Sequence, residues 1–331
     1  MKTLRKIIIW VIVIIAILVI IAFLLPKSYQ VERSITINAD KEIIFDFVCD
    51  LDKWEEWTVW NTDMDSTVVF ETIGICEDSA IQRWSGEILG NGEMVVTKLV
   101  PYKQFSYDLS FEDGKYTSTG NLFIEPEGDG YLVTWTDEGD LGYNPIARYY
   151  GLMMDKWIGP DFEKGLTNLK EKCESMPDYP DIEIGELTTQ PAIAIKDIIE
   201  SSKIGENLEK FYGELMKYCS MKKANVTGPP YAIYYEWDPD GNTVMEAGIP
   251  VDKELTGKGI IKSTTTPGGK VVKVIHYGAY CDTYAIYEAI EKYIKMNKLE
   301  ETGAPWEIYM TDPTTEPDTA KWETMIVFPI K

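Results

Sequence analysis

A chain of 331 residues, 45% apolar and 26% charged, has the composition of a folding protein and the length of roughly two domains of about 150 residues. Its 32 basic and 54 acidic side chains leave a formal charge of −22, so phosphate backbones repel it and no nucleic-acid partner is expected. The single histidine, His276, leaves no material for a zinc site built on several imidazoles, and no cofactor is predicted.

The aromatic content is 12%, with 20 tyrosines and 10 tryptophans, more than a plain core requires, and it points to binding. The cysteines are Cys49, Cys76, Cys173, Cys219 and Cys281. No two are close enough for a CxxC knuckle and their number is odd, so they read as free, buried thiols acting as small hydrophobes rather than as a disulfide framework.

Residues 7–25 carry no charged or polar side chain. At 1.5 Å per residue the run is about 28 Å long, close to the roughly 30 Å hydrocarbon core of a bilayer. It is longer than the apolar part of a signal peptide and ends without a small-residue cleavage site, so residues 1–27 are predicted to be an uncleaved single-pass anchor. Lys2, Arg5 and Lys6 precede the run; Lys27, Arg33 and Lys41 follow it. This slight bias leans toward a cytoplasmic N-terminus and extracytoplasmic soluble domains.

Residues 28–175 are predicted to form the first soluble domain. Residues 29–38 read as a strand, Asn38 and Asp40 as cap candidates for a short helix, and residues 86–99, 104–111, 116–125 and 131–138 as further strands. Gly90-Asn91-Gly92, Asp113-Gly114 and Glu127-Gly128-Asp129-Gly130 supply turn residues. A long helix over 145–172 follows, which Gly159-Pro160 should kink or interrupt.

A curved sheet wrapped around one long helix leaves a cavity suited to small hydrophobic molecules. Arg33-Ser34-Ile35-Thr36-Ile37-Asn38-Ala39, Ile44-Phe45-Asp46-Phe47-Val48-Cys49-Asp50 and Trp54-Glu55-Glu56-Trp57 resemble the opening of the START-like family, in its polyketide cyclase/dehydrase branch. Phe162-Glu163-Lys164-Gly165-Leu166-Thr167-Asn168-Leu169-Lys170 resembles that family's last helix. The resemblance implies a helix-grip fold and functions ranging from lipid carriage to cyclisation, with no shared catalytic set to carry over. Trp54, Trp57 and Trp60 recur every third residue and read either as a plug at one end of the sheet or as a gate to the cavity.

A linker over 176–182 with two prolines leads to a second domain at 183–331, which contains an internal repeat. Gly228-Pro229-Pro230-Tyr231-Ala232-Ile233-Tyr234 returns as Gly303-Ala304-Pro305-Trp306-Glu307-Ile308-Tyr309. A helical stripe precedes each copy: Ile204, Leu208, Phe211, Leu215 and Cys219 in the first, Tyr284, Tyr287, Ile290 and Ile294 in the second. With a strand ahead of each helix the unit is βαββ, twice, pairing about a pseudo-two-fold axis with a groove where the copies meet. The predicted class is therefore α+β: a transmembrane helix, a helix-grip domain, and a duplicated βαββ domain.

Period-2 alternation sorts Tyr231, Ile233, Trp306 and Ile308 onto one face, read as the helix-packed core, and Ala232, Tyr234, Glu307 and Tyr309 onto the other. The repeat has thus exchanged Ala for Glu at one half of the groove. Glu307 is either a solvated residue on an open face or a functional carboxylate.

His276-Tyr277-Gly278-Ala279-Tyr280, Glu307-Ile308-Tyr309 with Asp312-Pro313, and Ile326-Val327-Phe328-Pro329-Ile330 resemble the GyrI-like family of AraC-type effector-binding domains. The resemblance implies that Glu307 lies in an aromatic pocket for lipophilic cations, with Tyr309 and Trp322 as companions and Tyr280 and Tyr234 as weaker ones. Cation–π contact and ion pairing would hold such a guest. His276 reads as a pocket base or as a strand-end residue setting the Gly278 turn.

The function expected is a membrane-anchored small-molecule binder whose partner is a small hydrophobic or lipophilic-cation ligand. Two alternatives stay open: a hydrolase of reactive small molecules with Glu307 as catalytic acid/base, and lipid capture by the START-like cavity.

Overall fold

The computed structural model describes residues 2–112, 114–280 and 283–331, so Asp113 of one predicted turn and the predicted free thiol of Cys281 lie outside the described residues. The chain divides into two compact units, one ending at Tyr179 and the other spanning Pro180–Lys331.

The first unit opens with the apolar helix α1 (Lys2–Leu24), whose side chains stand almost wholly exposed. Strand β1 (Ser28–Ile37), helices α2 (Lys41–Cys49) and α3 (Trp54–Trp57), and strands β2 (Val69–Ile73), β3 (Ile81–Gly86), β4 (Gly90–Val100), β5 (Gln104–Phe111), β6 (Tyr116–Glu127) and β7 (Gly130–Asp140) follow. The strands form one antiparallel sheet in the order β1-β7-β6-β5-β4-β3-β2.

The sequence reading has no counterpart for β2, takes in only the last residue of β3, and runs the turn between β3 and β4 together with β4. That turn is set from outside, because Asp65 Oδ2 accepts the backbone N–H groups of Ile88 (2.8 Å) and Leu89 (2.9 Å). No local pattern announces a turn made by a carboxylate so far away in the chain.

Helices α4 (Pro145–Gly151) and α5 (Met154–Glu174) close the unit. The predicted long helix does break, but around Leu152–Met153, and Pro160 sits inside α5 without ending it. Packing outweighs the roughly 3 kcal/mol that an interior proline costs. Two residues beyond Pro160, the ring of Phe162 stacks on Trp135 at 4.0 Å and 3°, while Leu166, Leu169 and Cys173 continue the buried stripe.

The interior between sheet and α5 is filled with rings. Trp54 lies 5.0 Å from Trp57 and 5.4 Å from Tyr107; Trp57 lies 5.1 Å from Trp135; and Trp60 lies 5.8 Å from Trp135. The buried indole N–H groups of these three rings are satisfied: Trp54 donates to Val48 O, Trp57 to Phe47 O and Trp135 to the Tyr107 hydroxyl. All three periodic tryptophans pack against Trp135.

The cysteine reading is corrected at one pair. Cys49, at the end of α2, and Cys76, in the loop after β2, form a disulfide with their Cα atoms 4.7 Å apart. Their separation along the chain hid a contact that the fold creates. Cys173 and Cys219 are free and buried.

The second unit contains β8 (Glu183–Leu187), β9 (Pro191–Glu200), α6 (Ile204–Lys222), β10 (Tyr231–Glu236), β11 (Asn242–Pro250), β12 (Ile261–Thr265), β13 (Gly269–Tyr277), α7 (Tyr284–Met296), β14 (Trp306–Tyr309) and β15 (Glu323–Pro329). One antiparallel sheet runs β12-β9-β11-β10-β14-β15-β13-β8. The predicted units are β9-α6-β10-β11 and β13-α7-β14-β15, meeting at β10 and β14. Strands β8 and β12, absent from the sequence reading, each precede one repeat and pair with the edge of the other.

The pseudo-symmetry reaches single hydrogen bonds. Tyr234 N–H donates to Pro305 O (3.1 Å), and Tyr309 N–H donates to Pro230 O (3.0 Å).

Both helices pack on one face, α6 against β9 and β11, α7 against β13 and β15. The face carrying Ala232, Tyr234 and Tyr309 belongs to the α6 core, with Phe211, Leu215, Met245 and Ala247. Trp306 packs with Val271 and Val327 in a smaller cluster, flanked by Ile233 and Ile308. The face assignment is therefore inverted relative to the sequence reading: the face read as the groove is the one that the helices cover. Tyr284, read as part of the buried stripe, is the exposed first residue of α7, while Ile290 and Ile294 are buried as predicted.

Candidate functional site: an acidic cage of tyrosines

Where the two repeats meet, β10 and β14 pair with Ala232 directly opposite Glu307, Tyr231 opposite Ile308 and Ile233 opposite Trp306. Equivalent residues of the two copies thus face one another across the axis, one carrying a methyl group and the other a carboxylate. The small side chain leaves room for the long one. Glu307 is only 7% exposed.

A buried carboxylate needs donors, and tyrosines supply them. Tyr309 donates to Glu307 Oε2 at 2.7 Å, Tyr234 reaches the same oxygen at 3.4 Å, and Tyr287, from α7, donates to Oε1 at 3.1 Å. The Tyr234 and Tyr309 hydroxyls are 2.9 Å apart and 75 residues apart in sequence. Tyr212 on α6 stands in the same relation to Tyr287. It donates to Tyr231 O at 2.8 Å and presents its ring edge to Tyr309. Two symmetry-related tyrosine pairs therefore surround one unsymmetrical acid.

Tyr280 and Trp322 belong to a second ring layer. Tyr280 lies 5.2 Å from Tyr309 and 4.8 Å from Trp322, whose indole N–H is held by Glu316 O at 2.8 Å. Glu307, Tyr309 and Tyr234 thus come together as predicted, whereas Tyr280 and Trp322 touch the acid only through Tyr309. The sequence reading gave Tyr287 a place in the helix stripe alone and passed over Tyr212. The shared repeat offset was the signal that would have joined them to the site.

Burial drives the electrostatics. It raises the Glu307 carboxyl pKa above the usual range, an effect that the three tyrosine donors and the nearby His276 oppose. Burial also pushes the hydroxyls of Tyr212, Tyr287 and Tyr309 well above the ordinary tyrosine value, so all three stay neutral donors. His276 itself places Nε2 3.2 Å from Ala279 O, across the turn at Gly278, whose φ of +144° suits glycine. That is the turn-setting role. Among the described residues no group of three His, Cys, Asp or Glu side chains is arranged to hold a metal.

The family of the GyrI-like small molecule binding domain matches residues 180–331, and the family described as polyketide cyclase / dehydrase and lipid transport matches residues 28–174. The chain joins a START-like domain to a GyrI-like domain.

No curated protein matches it. Similar solved structures include the EcmrR C-terminal domain, 19% identical over 46% of this chain and 98% of that one, with a TM-score of 0.43. A second is EcmrR in a DNA complex, 18% identical over 56% of this chain and 70% of that one, with a TM-score of 0.44. A hydrolase from Listeria innocua is 12% identical over 49% of this chain and 96% of that one, with a TM-score of 0.36.

Proposed function

We propose that the chain is a membrane-anchored receptor whose GyrI-like domain binds a lipophilic organic cation, with Glu307 as its counter-charge. The carrying observation is the buried Glu307 carboxylate, which is held by tyrosine hydroxyls while no Lys or Arg among the described residues ion-pairs with it. Hydroxyl donors satisfy the lone pairs without neutralising the charge, and a cation entering between the rings would do so. The family match to a small molecule binding domain supports the ligand class at its coarser level.

Helix α1 supports the anchor, since a helix of this length and apolarity that packs on almost nothing needs lipid around it. The Cys49–Cys76 disulfide favours an oxidising compartment, hence soluble domains outside the cytoplasm. In this reading the anchor runs to residue 27, the START-like domain spans 28–175, and residues 176–182 link it to the ligand-binding domain at 183–331.

The test is titration of the full chain in nanodiscs with tetraphenylphosphonium and a neutral compound of similar shape. Glu307→Gln should weaken the cation at least about tenfold, the loss of one charge-assisted contact, and leave the neutral compound unchanged. Equal losses for both overturn the proposal.

The raised carboxyl pKa also favours a second reading, a hydrolase of strained electrophiles with Glu307 as proton donor and acceptor. Equal turnover of reactive ester or cyclopropanoid compounds by wild type and Glu307→Gln would remove it.

A further inference from the structure

Arg148 is a deeply buried charge in the first unit, 2% exposed. Its guanidinium caps the end of α1: Nη1 donates to Ala22 O (3.3 Å), Phe23 O (3.1 Å) and Leu25 O (3.4 Å), while Nε and Nη2 donate to Gly142 O at 2.9 and 2.7 Å. A cation at a helix C-terminus complements the dipole and satisfies carbonyls that would otherwise face lipid unpaired. One position along α4, the Tyr149 hydroxyl donates to Leu18 O at 2.8 Å. Ala22, fully buried, is the small residue that lets α4 approach.

These contacts fix a depth. Leu18 precedes Leu25 by about 10 Å of helix. The apolar run of residues 7–25, about 28 Å long, has no length to spare against a hydrocarbon core of about 30 Å. Sliding α1 outward to lift α4 clear of the membrane would draw Arg5 and Lys6 into the hydrocarbon, which is costly.

The composition of α4 and its flanks agrees. Across residues 141–154 the only charged side chain is Arg148, in a chain whose residues are 26% charged. Tyr143, Ile146, Tyr150 and Leu152 are each more than half exposed, as is Trp157 at the start of α5, whose ring lies 5.9 Å from that of Tyr150. The N-terminal amides of α4 need no water, because Asn144 Oδ1 accepts from Ile146 N and Ala147 N. Exposed tyrosine, tryptophan and aliphatic side chains on a backbone that satisfies itself are what a membrane interface accommodates.

We propose that residues 141–154, together with Trp157, form an interfacial wedge that seats the START-like domain in the lipid surface beside α1. The proposal rests on the anchor reading above. It makes the bilayer the partner of this face and holds the domain in one orientation rather than on a free tether.

The experiment uses the full chain in phosphatidylcholine vesicles. Tyr150→Cys carries an environment-sensitive fluorophore, and so does Asp129→Cys in the turn at the other end of the sheet. Wild type taken through the same labelling serves as the blank. Lipids with a nitroxide on the acyl chain should quench most of the emission at position 150 and leave position 129 unchanged. Equal behaviour at the two positions, in protein that resists carbonate extraction, overturns the wedge and spares the anchor. Release of the chain by carbonate overturns both.

Discussion

Ala232 and Glu307 occupy the same position in two copies of one structural unit and face each other across the axis that relates them. The absence of a side chain beyond Cβ on one strand makes room for a buried acid on the other. Ala232→Glu would place two carboxylates in a space built for one. Direct opposition of like charges and overpacking both disfavour it. We expect a loss of about 1–3 kcal/mol in urea unfolding followed by tyrosine and tryptophan fluorescence. Ala232→Ser should be far milder.

The Glu307 carboxyl titrates above its usual range because it is buried. Only its ionised form attracts a cation, so affinity for tetraphenylphosphonium should fall as pH drops through that raised pKa. Affinity for a neutral analogue should stay flat. Binding near this pH should release protons, seen as a buffer-dependent heat in calorimetry. Stability moves in the opposite sense. A carboxyl whose folded pKa exceeds the unfolded value of about 4.3 favours the folded state below that value and loses the advantage as pH rises through the folded pKa. Glu307→Gln should remove that decline, measured as melting temperature against pH.

The Cys49–Cys76 disulfide closes a loop with a sequence separation of 27. Removing the cross-link frees the unfolded chain, and loop entropy puts the cost near 3–4 kcal/mol. Cys49→Ser combined with Cys76→Ser should lower the urea midpoint of the START-like domain accordingly. The second unit, which holds neither residue, should melt unchanged.

Arg148 bridges Gly142 O and the last carbonyls of α1 with one planar group. Lysine has no such fork, so Arg148→Lys should recover only part of what Arg148→Ala loses. The alanine variant should cost about 2–3 kcal/mol, as expected for charge-assisted hydrogen bonds lost inside the fold. Thermal unfolding in nanodiscs measures the difference.

Local pattern alone determined a good deal of this protein. An unbroken apolar run admits few environments, and the stripes of α6 and α7 follow from helical period. The repeat marked Glu307 because an acid stood where its twin has alanine. Alternation also placed Glu307 and Tyr309 on one face, since side chains on a strand must alternate. Which face the helices cover was settled by tertiary packing, because period 2 has no sign, and the sequence reading chose the wrong side.

Long-range contacts decided the rest. Cys49 meets Cys76, Asp65 fixes the turn at Ile88 and Leu89, Arg148 reaches back to α1, and Tyr287 descends from α7 onto Glu307. Each depends on where the chain returns in space. Spacing along a sequence records which residues share a surface, but which surfaces meet is chosen by the free energy of burying them together.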